Sequence, residues 1–157
     1  MITKKDIIGK AREIGFEDIG FTGVEPFNSQ LEFLDNPDAH YGWTGKAGLP
    51  LKESIDPSTV LEGCKSIIVL LYSYLQSSIP VSLTGNFGRC YINDDRVTQD
   101  GLALKTKEFR NYLKENGINS KLSRGMPDKL AAARAGVGTF GKNCLFFAGR
   151  GASGSSF

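Results

Sequence analysis

The ten-residue run Ser66–Leu75, SIIVLLYSYL, restricts the fold more than any other feature of the sequence. It is the most apolar stretch of the chain, it is rich in β-branched and aromatic residues, and polar positions do not alternate through it. A strand of that composition needs cover on both faces, which predicts a central buried strand. Helices on a sheet supply such cover, and helical and extended patterns alternate on either side of the run. The expected class is therefore α/β or α+β, a layered sheet covered by helices.

Local signals place the other elements. Thr3 followed by Asp6 has the spacing of a capping pair, Ile7, Ile8, Ala11 and Ile14 recur at helical intervals, and Gly15 is the expected stop. Phe16–Thr22 shortens the period toward two and predicts a strand ending at Gly23. Leu31, Phe33 and Leu34 predict a short helix that stops before Pro37. Asn36–Pro57, rich in Gly, Pro and Asp, reads as a long irregular connection. Ser77–Asp95 holds turn formers without a period. Leu102–Asn116 places Leu102, Phe109, Tyr112 and Leu113 on one helical face, with Gly117 at the C-terminal cap. Ile118–Leu122 is expected as a short strand, Pro127–Ala135 as a helix with proline in its first turn, and Cys144–Phe147 as a strand. The tail from Gly149 is rich in Gly and Ser, and no internal repeat is visible.

The chain has 157 residues, the size of one domain. Apolar residues at 40% and charged residues at 23% are those of a globular protein. The formal charge of +2 points by itself to neither nucleic acid nor an acidic membrane. No apolar run approaches the roughly 18 residues of a membrane span. The N-terminus is charged and amphipathic, unlike a signal peptide, so a cytoplasmic location is expected. The three cysteines, Cys64, Cys90 and Cys144, include no CxxC pair, and His40 is the single histidine. Neither a disulfide framework nor a zinc site is indicated, and a ferredoxin-type cluster would need four closely spaced cysteines. Cys64 and Cys144, beside apolar runs, are expected in the core.

Gly136, Gly138 and Gly141 form GxGxxG. A dinucleotide-binding turn follows a strand and opens a helix, whereas these glycines follow a helix and enter the apolar run CLFF, which argues against that use. Two readings stay open. The glycines can allow a bulky, flat ligand to approach the backbone, with Lys142 and Asn143 as adjacent donors. Equally, they can serve a tight turn between two elements.

The segment Ala131–Asn143, AAARAGVGTFGKN, resembles the helix–glycine–GKN element of epoxyqueuosine reductases, the cobalamin-dependent enzymes that complete the modified tRNA base queuosine, and of related corrinoid reductases. AREIGFEDIGFTGVEPF (residues 11–27) and DPSTVLEGCKSIIVLLYSY (residues 56–74) are similar to the same family and occur in the same order. The likeness covers most of the chain, and Ser77–Leu122 matches least.

The resemblance implies a nitroreductase-like α/β module that binds cobalamin through Gly136, Gly138, Gly141, Lys142 and Asn143. Arg89 and Cys90, in FGRCY, fall where the family has a corrinoid-contacting segment, and Ser153 falls in its Gly-Ser element. The family continues into a ferredoxin-like domain with 4Fe-4S clusters. The expectation is thus one corrinoid-binding module over residues 1–157, truncated before that domain, without a cluster of its own and fed by a separate or missing iron–sulfur donor. A tRNA is the implied partner, and no membrane is involved.

The family's proton-donating aspartate lies about fourteen residues before the first glycine, a position that a gapless count assigns to Leu122. Asp128 matches a helix-borne glutamate of the family instead. His40, in AHYGWTG, resembles a family turn and is the remaining candidate acid. Arg124 and Lys129 are candidates for a phosphate or an RNA backbone. Two alternatives remain beside the reductase module: a non-catalytic corrinoid carrier, and a flavin-binding nitroreductase-like domain using FMN.

Overall fold

The structure is a computed structural model that describes residues 2–36, 41, 43, 51–73, 81–83, 85–86, 101–123 and 125–149. His40, Arg89, Cys90, Arg124 and Ser153 lie outside the described residues. In chain order the elements are α1 (Lys4–Ile14), β1 (Asp18–Thr22), a 3-10 turn (Asn28–Gln30), α2 (Leu31–Leu34), α3 (Leu51–Ser54), α4 (Pro57–Val60) and β2 (Ile67–Leu71). After a second 3-10 turn (Val81–Leu83) come α5 (Leu102–Glu115), α6 (Asp128–Arg134), β3 (Gly138–Phe140) and β4 (Phe146–Ala148). β1 pairs with β2, and β3 pairs with β4. The mixture of helices and small sheets is the expected α/β class.

Helix α1 follows its capping chemistry closely. Thr3 Oγ1 accepts from the Asp6 backbone N–H, and the Asp6 carboxylate accepts from the Thr3 N–H at 2.8 Å, so each side chain satisfies the other's backbone. The Thr3 N–H holds the Asp6 pKa below the usual carboxylate value. At the other end Gly15 adopts φ 101°, and the Gly15 and Phe16 N–H groups close onto Arg12 and Ala11 carbonyls.

Contacts divide the chain into two compact units. The first comprises residues 1–19, 70–120 and 140–157. Within it α1 buries Ile7, Ala11 and Ile14, and α5 buries Phe109 and Leu113. Phe16 meets Phe109 and Tyr72 edge-to-face at centroid distances of 6.0 and 6.4 Å. Lys10 bonds to Glu13 at 2.8 Å and reaches Glu108 at 3.5 Å; Glu13 raises its pKa.

The second unit comprises residues 20–69 and 121–139. Its core is Phe27, Ile55 and Ala131, with Leu31, Leu34, Ile67, Val69 and Leu130 packed against it. The Phe27 N–H donates to the Ile55 carbonyl, which ties the segment before α2 to the one after α3.

Several sequence expectations change. Among the described residues of the apolar run, Ile67–Leu71 form the strand, and Tyr74 and Leu75 lie outside the described residues. Four of the strand's five residues are half-buried rather than buried on both faces, and among the described residues it has β1 as its one neighbour. Within Asn36–Pro57, Leu51–Ser54 is helical rather than irregular. Ile118–Leu122 is not a strand: among the described residues no strand pairs with it, and the Ile118 N–H instead donates to the Leu113 carbonyl at the end of α5. The last strand starts at Phe146, two residues later than expected. Gly138, expected in a loop, lies within β3. Cys64 is half-buried and Cys144 exposed, so neither is a core residue: Cys144 sits in a turn, where side chains point to solvent. Among the described residues no helix is long and apolar enough to cross a membrane.

Candidate functional site

The glycine segment begins as the end of α6. Ala131 and Ala132 are buried, and the small residues bring this helix close to its core neighbours. Arg134 at its last turn stacks 3.8 Å above the Phe27 ring and donates to the Glu25 carbonyl at 2.6 Å. Gly136 then adopts φ 73°, its N–H donates to the Ala133 carbonyl, and the Val137 N–H donates to the Ala132 carbonyl. This pair of bonds ends a helix with a left-handed residue, where glycine pays no steric cost. Space around the missing Gly136 side chain is open.

Gly20 of β1 positions this turn. A Cβ there would lie 2.6 Å from Val137 Cγ1, 2.8 Å from Ala135 Cβ and 2.9 Å from the Ala135 carbonyl oxygen. The strand and the turn thus meet backbone to backbone, and Gly20 is a positioning residue that sequence reasoning missed. Its signal was an isolated glycine inside a strand pattern, which marks close backbone approach.

Beyond Gly138 the chain forms a hairpin whose tip is Gly141–Cys144. The Gly141 N–H donates to the Leu145 carbonyl at 2.8 Å, the Cys144 N–H to the Gly141 carbonyl, and the Leu145 N–H to Asn143 Oδ1 at 3.2 Å. Cys144 takes φ 60°, the left-handed position that closes such a turn and that usually falls to glycine or asparagine. A Cβ on Gly141 would run into the Phe147 ring. Gly141 is therefore required by the hairpin's own packing, not by an open cradle.

The hairpin is apolar and partly uncovered. Phe146 is buried and meets Phe140 edge-to-face at 5.6 Å, while Phe140, Leu145 and Phe147 remain exposed. Lys142 and Asn143 are exposed at the tip. With one Asn143 oxygen used inside the turn, its amide N–H groups and the Lys142 ammonium are the donors available to a ligand.

The open space at Gly136 permits backbone approach, and Gly141 offers none. Gly141 thus shapes the turn, and Lys142 and Asn143 are the donors its tip exposes.

Two further positions complete the picture. Leu122 is 52% exposed and offers no titratable group. Asp128 stands at the start of α6; although it keeps contact with solvent, desolvation by the surrounding protein holds its carboxyl pKa above the usual value. Among the described residues no group of His, Cys, Asp and Glu is placed to hold a metal ion.

No protein-family model matches the chain. Curated relatives do. The chain is 31% identical over 151 residues to the epoxyqueuosine reductase of Listeria monocytogenes, covering 90% of this chain and 40% of that protein. To the epoxyqueuosine reductase of Bacillus anthracis it is 27% identical over 150 residues, with the same coverage. The chain thus spans about 40% of the length of the curated relatives it matches.

Among solved structures, the epoxyqueuosine reductase of Bacillus subtilis, with its catalytic aspartate loop swung out of the active site, superposes with a TM-score of 0.62 at 24% identity. The match covers 92% of this chain and 41% of that one. An epoxyqueuosine reductase carrying an epoxyqueuosine-modified tRNA-Tyr stem loop superposes at 0.61 and 21% identity, over 92% of this chain and 41% of that one. The expected resemblance to epoxyqueuosine reductases is borne out in sequence and in fold.

Proposed function

We propose that this chain is the corrinoid-binding module of an epoxyqueuosine-reductase-like oxidoreductase that acts on a modified tRNA nucleoside and draws its electrons from an iron–sulfur domain or protein outside residues 1–157. The observation that carries this reading is the similarity to epoxyqueuosine reductases over 90% of the chain. Cobalamin, when bound, supplies the low-potential reducing centre. The protein's own residues bind and orient: Gly136 and Gly138 allow backbone approach, Lys142 and Asn143 donate to amide or phosphate oxygens, and Phe140, Leu145 and Phe147 exclude water from an apolar edge.

The absorption spectrum of the purified chain, before and after addition of hydroxocobalamin and then FMN, tests the reading. A corrinoid spectrum that shifts on binding supports it, and an FMN spectrum alone points to a flavin-binding domain. Gly138→Leu in a folded protein should abolish the corrinoid shift. An unchanged affinity would reduce the glycine segment to a turn.

One observation favours a second reading, a corrinoid carrier without catalysis. A gapless count from Gly136 assigns the expected proton donor's place to Leu122, which carries no titratable group, and a positioned general acid is worth typically 10²- to 10⁴-fold in rate. Leu122→Asp, assayed on epoxyqueuosine tRNA with a strong chemical reductant, should gain activity if the family's acid has been lost here. Wild-type turnover equal to that of a full-length relative would refute both the assignment of Leu122 and the carrier reading.

A further inference from the structure

Charge is distributed unevenly along this chain. Residues 1–100 carry nine Lys and Arg against fourteen Asp and Glu, whereas residues 101–157 carry ten against three. The small net charge therefore conceals an acidic portion and a strongly basic one, a pattern associated with polyanionic partners.

Helix α5 displays part of that basic charge in a defined geometry. Phe109 and Leu113, each 2% exposed, turn one face of the helix into the core. Lys107, Arg110 and Lys114 are exposed and fall at i, i+3 and i+7, which aligns them in one row on another face. At 1.5 Å per residue the row is roughly 10 Å long. Glu108 is engaged elsewhere, 3.5 Å from Lys10. Among the described residues neither Lys107 nor Lys114 makes a salt bridge. Arg110 donates one N–H to the Ser120 carbonyl at 3.1 Å, which steadies the guanidinium and leaves its other donors free to bind a ligand. Like charges at neighbouring helical positions repel one another, and a bound polyanion relieves that repulsion.

We propose that the Lys107–Arg110–Lys114 face of α5 docks the phosphodiester backbone of an RNA, an inference that rests on the reading of the chain as a module acting on a tRNA nucleoside. Arg and Lys contacts to phosphates position a nucleic acid without reading its sequence, which suits a surface that holds a substrate while another part of the protein acts on it. An anionic membrane is the weaker fit. A helix lying in a lipid interface must offer its apolar face, and that face of α5 is already buried as Phe109 and Leu113.

Binding of a fluorescently labelled tRNA stem loop to the full chain, followed by anisotropy from about 50 to about 200 mM salt, tests the proposal. Each phosphate contact contributes roughly 0.7 to 0.9 to the slope of log affinity against log salt, so K107Q/R110Q/K114Q should lower the slope by about 2 to 3. Equivalently, wild type should lose roughly 20- to 40-fold more affinity than the variant over that salt range. Glutamine keeps the helix propensity of Lys and Arg, and circular dichroism verifies the fold. K4Q/K5Q/K65Q removes as much charge elsewhere and should leave the slope nearly unchanged.

Equal slopes for wild type and the α5 variant would overturn the proposal, as would a wild type that binds no RNA. Capture by phosphatidylcholine–phosphatidylserine vesicles in place of RNA would assign the face to lipid and overturn it too. Hydroxocobalamin titration of the same preparations separates the two readings. Corrinoid binding without RNA docking defeats only this surface, and RNA docking through α5 without corrinoid binding defeats only the reductase reading.

Discussion

Gly20→Ala adds one methyl group where β1 meets the turn after α6. The new carbon would sit 2.6 to 2.9 Å from Val137 Cγ1, Ala135 Cβ and the Ala135 carbonyl oxygen. Carbon atoms pack best at about 3.5 to 4.0 Å, so the neighbours would have to retreat by roughly 1 Å. Val137 is 2% exposed, and the Ala135 oxygen is backbone, so neither can move by a simple rotamer change. Overpacking of this kind costs about 1 to 3 kcal/mol, and the backbone contact favours about 2 kcal/mol. For a chain of this size that lowers Tm by roughly 4 to 8 °C.

Gly9→Ala is the matched control. Gly9 lies on the exposed side of α1 with nothing within 4 Å of a built Cβ, so the same methyl should stabilise by about 1 kcal/mol through helix propensity. Thermal unfolding followed by circular dichroism compares the two. Because the Ala135–Val137 turn leads directly into the glycine hairpin, Gly20→Ala should also weaken hydroxocobalamin binding. Equal Tm shifts for both variants, or an unchanged Tm for Gly20→Ala, would refute the close-approach argument.

Two other substitutions probe the same region. Cys144→Gly relieves a left-handed conformation that costs a residue with a Cβ about 1 to 2 kcal/mol, partly offset by the entropy of glycine. The net gain expected in a denaturant titration is about 0.5 to 1 kcal/mol, and a loss of stability would show that the thiol makes an unseen favourable contact. Asp128 titrates above its ordinary value of 3.8 in the folded protein because it is desolvated. Its contribution to stability is therefore full below the unfolded pKa and is lost as pH rises through the folded one. Asp128→Asn should remove that loss, so the variant gains on wild type as pH increases from about 4 and holds the gain at neutral pH. A Tm difference that does not change with pH would count against the desolvation.

What was legible in the sequence is what local chemistry decides. The Thr3–Asp6 capping box, the Gly15 and Gly117 stops and the span of α5 depend on residues three or four apart, and the structure has them within a residue of expectation. The order of the Ala11–Phe27, Asp56–Tyr74 and Ala131–Asn143 blocks was likewise visible without coordinates. Tertiary structure decided the rest. Ile118–Leu122 was expected as a strand but has no ladder partner among the described residues, and a strand exists only by pairing. Gly138 belongs to a hairpin because Gly141 and Leu145 bond across a turn, a choice no helical or alternating period encodes. Of the three glycines in GxGxxG, Gly136 serves a helix end and Gly141 makes room for Phe147, while Gly20, more than a hundred residues earlier in the chain, is the glycine that lets strand and turn touch. Such roles depend on which backbone arrives opposite, and that is settled only when distant segments pack together.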